Sequence, residues 1–109
     1  MPKKQTQPEA EPIEAPIHLS ERGKALWSSL VPARVRSAGR MAALQTALEA
    51  LDRADEAAAA VRIDGLTTTT AKTGAMHLHP LLRVERDNRA LFFKILSSMH
   101  LEWSQLEDG

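Results

Sequence analysis

The sequence predicts a mainly α-helical fold: a helical hairpin, a short β-hairpin and a final long helix. Three observations carry that prediction. Apolar residues recur three and four apart in three separate stretches, the spacing that gives a helix one buried face. The run Leu66-Thr67-Thr68-Thr69-Thr70, β-branched and a poor helix former, interrupts them. Prolines at positions 2, 8, 12 and 16, separated by Lys, Gln and Glu, forbid a helix and leave little to bury before His18.

The first helix is expected after Ser20, a good N-cap, with Glu21 well placed in the first turn. Leu26, Trp27, Leu30 and Val31 fall on one face, and Val31-Pro32 should kink or break the helix. Val35 follows, and Ser37-Ala38-Gly39 reads as a C-terminal stop. The strongest helix signal spans Met41 to Ile63. One stripe carries Met41, Leu44, Leu48 and Leu51; a second carries Ala43, Ala47, Ala50, Ala54, Ala57 and Val61. At ~100° per residue the stripes lie roughly 120° apart, which predicts a helix packed from two sides with one close approach. Asp64-Gly65 ends it. Leu66–Thr70 reads as a strand, Ala71–Gly74 as a turn and Ala75–Leu78 as the returning strand. Pro80 suits the first turn of a last helix, whose face holds Leu81, Val84, Leu91, Phe92, Ile95, Leu96, Met99 and Trp103. Phe93 lies off that face, near Arg86 and Arg89. The expected organisation is an arm over residues 1–17, a helical domain over 18–103 and a flexible acidic tail over 104–109.

The chain has 109 residues, 14 basic and 14 acidic, so its formal net charge is zero. A folded part this small buries a limited core, which favours association of subunits. There is no cysteine, so disulfides and thiolate zinc sites are excluded. No apolar run approaches the ~20 residues of a membrane span, and the polar N-terminus does not read as a signal peptide; a cytoplasmic protein is expected. Charge is nonetheless uneven. Ser20–Arg40 holds Arg22, Lys24, Arg34, Arg36 and Arg40 against Glu21 alone. Met41–Gly65 holds Arg53 and Arg62 against Glu49, Asp52, Asp55, Glu56 and Asp64. A basic segment beside an acidic one suits head-to-tail subunit contacts or a local nucleic-acid surface.

No set of residues reads as an active site. His77 and His79 alternate on a strand, but no nearby acid or thiol completes a metal set, and no cofactor is expected. Asp52 and Glu56 read as solvated. There is neither a Gly-Lys-Ser/Thr phosphate loop nor a Gly-x-Ser-x-Gly setting. The candidates that remain are cations. Arg34, Arg36 and Arg40 cluster on the connector between helices, and phosphate contacts need such groups. Lys72 at the hairpin tip and Arg83, Arg86 and Arg89 are secondary candidates, although Glu85 and Arg89 also have ideal i, i+4 spacing for an ion pair. Lys3 and Lys4 could hold DNA from the arm. The candidate subunit interface is the alanine stripe, Ala43, Ala47, Ala50, Ala54 and Ala57, with Phe93.

The ordered set Leu19-Ser20, Trp27, Val31-Pro32, Gly65-Leu66, Gly74 and His79-Pro80 resembles the small-subunit family of tailed-phage terminases. The likeness covers roughly Leu19 to Met99. Two places depart from it: Gln45 stands where the family often has Asp, and His100-Leu101-Glu102-Trp103 replaces a Gly-Leu-Thr-Pro turn, so the last helix is expected to run on. The resemblance implies a ring-shaped homo-oligomer in the host cytoplasm. It implies binding of viral double-stranded DNA and its delivery to the large terminase subunit, which carries the ATPase and nuclease, the small subunit being a non-catalytic regulator of genome packaging. The competing reading is a small helical protein-interaction adaptor that does not bind DNA.

Overall fold

The computed structural model describes residues 13–69 and 74–108. The first twelve residues of the expected arm, and the hairpin tip with Lys72, lie outside them. In chain order the elements are α1 (Glu21–Leu30), α2 (Ala38–Asp64), β1 (Thr67–Thr69), β2 (Met76–Leu78), α3 (Leu81–Ser98) and α4 (Trp103–Asp108). The fold is mainly helical.

α1 starts where Ser20 accepts a hydrogen bond from the Gly23 backbone N–H at 3.0 Å. The Ser20 hydroxyl also donates to Asp52 at 2.6 Å, and its backbone N–H donates to the same carboxylate at 2.8 Å. One aspartate on α2 thus fixes where α1 begins, so Asp52 is not the solvated acid its spacing suggested. Gly23 is buried here; a Cβ at that position would meet Asp52 and the Leu19 side chain at 3.3 Å. Leu30 is the last residue of α1, and a cis Val31-Pro32 bond lies in the turn that follows.

Ser37 does not stop a helix but caps the next one. Its hydroxyl accepts from the Arg40 N–H at 3.2 Å, and α2 opens at Ala38. A serine ahead of apolar periodicity serves as an N-cap as readily as a loop residue, and here the following helix claims it. α2 runs 27 residues, ~40 Å, to Gly65, which takes φ 91°, a conformation glycine adopts freely. β1 and β2 pair antiparallel, with Thr67 opposite Leu78 and Thr69 opposite Met76. The His79 backbone N–H donates to the Leu66 carbonyl at 2.8 Å and closes the hairpin base.

α3 returns antiparallel along the whole of α2. Asp64 meets His79, Arg53 meets Asn88, and Arg40 meets the Met99 carbonyl. Arg53 and Asp64 reach α3 from one flank of α2 and Asp55 reaches Arg89 from the other. The arc between them, Ala50, Ala54, Ala57 and Val61, therefore faces α3. Ala47, Ala50 and Ala54 are 0% exposed and Ala57 is 3%. The alanine stripe expected to join subunits is covered within one chain, and Ala43 at its start is half-buried. The two-sided packing is real; the second partner is the chain's own last long helix. Periodicity marks a face as covered but does not say by which helix.

The end of the chain also differs from expectation. α3 stops at Ser98, where the Leu101 N–H bonds back to the Leu96 carbonyl and His100 takes φ 61°. This left-handed cap turns the chain by the route glycine usually provides. The short helix α4 replaces the expected tail, because Leu106 is buried in the core with Leu101 and Met99. Trp103 belongs to α4 and meets Phe92 edge-on at 5.5 Å between ring centroids. Phe93 shares the α3 stripe of Arg86 and Arg89 and also meets Phe92 and Trp103 edge-on. Val84 and Leu91, expected in the core face, are each 37% exposed.

A leucine at a position shielded this closely must force α2 and α3 apart. Ala50→Leu is expected to destabilise the chain by about 1–3 kcal/mol. That lowers the midpoint by on the order of 10 °C in a thermal melt followed by circular dichroism. Ala25→Leu, on the exposed side of α1, should stay within about 0.5 kcal/mol of the parent. Equal melting of the two variants would show that the stripe tolerates a larger side chain.

Candidate nucleic-acid interface

Residues 31–37 form the connector between α1 and α2, and its in-and-out pattern presents cations. Val31 and Val35 are buried, at 4% and 0% exposure, and clamp the segment to the core. The Arg34 and Val35 backbone N–H groups both donate to the Leu30 carbonyl, which fixes the turn. Arg34 and Arg36 consequently lie on its exposed side. The Arg36 Nε–H donates to the Pro32 carbonyl at 3.1 Å, steadying the stem of the side chain.

Arg40 is different. It is half-buried and donates from Nη2 to the Met99 carbonyl at 3.1 Å. A cation there satisfies a carbonyl at the C-terminal end of α3, where the helix dipole favours positive charge. Its spacing from Arg36 made it a phosphate candidate; its position makes it a tie between the start of α2 and the end of α3.

The secondary candidates divide similarly. Arg89 bridges Glu85, four residues before it, and Asp55 on α2, which also receives Arg22. Arg22 in turn lies 5.5 Å above the Trp103 ring. Arg89 is thus spent on holding α1, α2 and α3 together. Arg86 pairs with its neighbour Asp87 on the surface at 3.2 Å, and Arg83 is exposed without an ion pair among the described residues. The antiparallel register puts Arg83 about 25 Å along the helices from Arg40, at ~1.5 Å rise per residue. The six described cations therefore do not form one patch. Arg34 and Arg36 stand at one end, Arg83 and Arg86 near the other, Arg40 and Arg89 serve the fold, and Lys72 lies outside the described residues.

The histidine pair separates too. His77 is exposed, whereas His79 is 7% exposed and fully used. Its Nδ1 accepts from the Leu81 backbone N–H at 3.1 Å, so the ring proton sits on Nε2 and points to Asp64 at 2.9 Å. This clasp joins the end of α2 to the start of α3. Among the described residues no cluster of three or more His, Asp or Glu could hold a metal ion, and no helix is long and apolar enough to cross a membrane.

No family model, curated protein or solved structure matches this chain.

The long exposed side of α2 is acidic. Glu49, Asp52 and Glu56 line a shallow pocket there with Arg53 and His18. The Glu49 carboxyl is held below its ordinary value of 4.5, first by the Gln45 side-chain amide at 3.0 Å and next by His18 at 2.7 Å. A carboxylate with a depressed folded pKa stabilises the fold above its ordinary value, and that contribution disappears as pH falls through the lower folded value. In urea unfolding, Glu49→Gln should accordingly be less stable than the parent at about pH 6, with a smaller gap at about pH 2–3. A stability gap of the same size at both pH values would show that the charge of Glu49 is not involved.

Proposed function

We propose that this protein is a small terminase subunit: a non-catalytic, ring-forming protein that binds viral double-stranded DNA and delivers it to the large subunit during genome packaging. The observation that carries this reading is the ordered set of short signatures and their places in the fold. Ser20 caps α1, Trp27 is buried within it, and Val31-Pro32 follows its last residue. Gly65-Leu66 leads from α2 to β1, Gly74 precedes β2 with φ 70°, and His79-Pro80 opens α3. Single matches of this kind occur by chance; six in the same order along the chain are more specific.

Two further features support it. Ile63, Leu66, Met76 and Leu78 are between 64% and 84% exposed around a two-stranded hairpin, which is marginal without further partners. That suits a protein whose working form is an assembly. Arg34 and Arg36 stand together on an exposed connector and would recur in every subunit of a ring, giving a repeated set of phosphate contacts despite a net charge of zero per chain.

The adaptor reading has one observation in its favour: Arg22, Arg40, Arg86 and Arg89 all have partners within the chain. A filter-binding assay on viral end-sequence DNA and on unrelated DNA, at two salt concentrations, separates the readings. A phosphate-binding ring gives affinity that falls steeply with salt. Arg34→Ala with Arg36→Ala should then weaken binding to both DNAs alike and flatten the logarithmic salt slope by about 0.9 for each phosphate no longer neutralised. Phosphate contacts carry no sequence information directly, so little preference for the viral ends is expected from the isolated protein. Absence of binding at low salt, with capture of the large subunit retained, would make the protein an adaptor.

A further inference from the structure

The charges on the outward sides of α2 and α3 are segregated. On α2 the outward stripe presents the exposed Glu56, and the half-buried Glu49 and Asp52 already bonded to His18 and Ser20, against Arg53 alone. On α3 the outward stripe presents Arg83, Arg86 and Lys94 against Asp87 alone. Glu56, Arg83 and Lys94 have no ion pair among the described residues, and Arg86 has only its exposed neighbour Asp87. One face of the molecule is thus acidic and another basic.

Their heights agree. Because α2 and α3 are antiparallel, the pairs Arg53–Asn88 and Asp64–His79 give the level of every other residue. Counting from those two pairs puts Glu56 level with Glu85 to Asp87, the turn that contains Arg86. It puts Glu49 level with Phe92 to Lys94. At ~1.5 Å rise per residue the two pairs agree in level to within about 3 Å. A cyclic assembly relates its copies by rotation without sliding, so a residue of one copy meets residues at its own height in the next. Rotation about an axis along the helices would carry Glu56 to Arg86 and Glu49 to Lys94 with no axial shift, leaving Arg83 within about one helical turn of Glu56.

An apolar knob and hole lie in the same register. Ile63, near the end of α2, is 84% exposed. By the same counting it is level with Leu78 to Pro80. Those residues line a groove of about 540 Å³ with Leu82, and Arg83 and Arg86 complete its wall. Ile63 does not line this groove in its own chain, so the knob and the hole lie on separate faces. A contact between different faces of identical copies propagates from one to the next and closes into a ring when the rotation permits.

We infer that copies of this chain join head to tail, Ile63 of one copy seating in the Leu78–Pro80–Leu82 groove of the next while Glu56 faces that copy's Arg83 and Arg86. The inference rests on the ring reading above and names the surfaces that would make it. It assigns Arg83 and Arg86 to subunit contact and leaves Arg34 and Arg36 for DNA.

The test is the mass of the full chain in solution, by light scattering at tens of micromolar, with circular dichroism as a check of folding. Ile63 and Glu56 are exposed, so replacing them leaves the core untouched. Ile63→Asp should reduce the assembly to monomer with unchanged helicity. Glu56→Arg and the pair Arg83→Glu with Arg86→Glu should each weaken association at least tenfold. Combining all three charge reversals in one chain should restore the parental mass, because the faces again match. Parental mass in Ile63→Asp and in the Arg83 and Arg86 reversal would overturn this interface while leaving the ring itself standing. Failure of the combined reversal to recover the mass that its parts reduce would overturn the charge pairing. Loss of DNA binding at parental mass in the Arg83 and Arg86 reversal would make the α3 face a nucleic-acid surface instead. A monomeric parental chain would remove both the ring and this interface.

Discussion

α3 lies against α2 through a row of methyl groups, and the separation those methyls allow governs where the other elements can go. Ala50, Ala54 and Ala57 offer almost no side chain, so two helix backbones approach closely over several turns. Larger residues fill the space where the helices meet other partners: Leu44, Leu48 and Leu51 on α2, Phe92 and Leu96 on α3, Trp27 and Leu30 on α1. Close approach also brings polar side chains on the flanks within reach of one another. Arg53 meets Asn88 and Asp64 meets His79 because the intervening stripe is narrow.

Those flanking contacts determine which charges remain for anything else. Asp55 is shared by Arg22 and Arg89, Asp52 is taken by Ser20, and Arg40 serves the end of α3. Surface ion pairs contribute little individually, typically below about 1 kcal/mol, but geometry makes these useful as positioning devices. They pin α1, α2 and α3 in one axial register. The same register sorts the remaining charges by height and by face, acids along α2 and cations along α3.

The ends of the molecule carry different chemistry. At the connector end, buried valines force Arg34 and Arg36 outward. At the hairpin end, apolar side chains stand exposed beside a groove flanked by arginines. A chain this short has too few apolar residues to build a core and cover every strand face as well. Under the terminase-like reading, assembly would supply the missing cover, and rings would repeat the connector cations at regular intervals.

The helices, the break at Val31-Pro32, the two covered faces of α2 and the hairpin were legible from sequence because each depends on local stereochemistry. Periodicity follows from 3.6 residues per turn, the break from the constraint proline places on its neighbour, and the strand from β-branched threonines. Ser37 shows the limit of local signals, since the same serine fits the end of one helix or the start of the next. So does His100, which does a glycine's work at the end of α3 because Leu101 and Leu106 behind it are held in the core. Likewise the alanine stripe was visible as a contact surface, but its partner was not. Which helix fills it depends on the path of the chain through the hairpin. The candidate site fared the same way. Arg34 and Arg36 remain exposed, whereas Arg40 and Arg89 have spacings no less suggestive yet are held by Met99, Asp55 and Glu85. A sequence states which residues carry charge; whether that charge faces outward depends on partners 34 to 59 positions away, and only the packed helices bring them together.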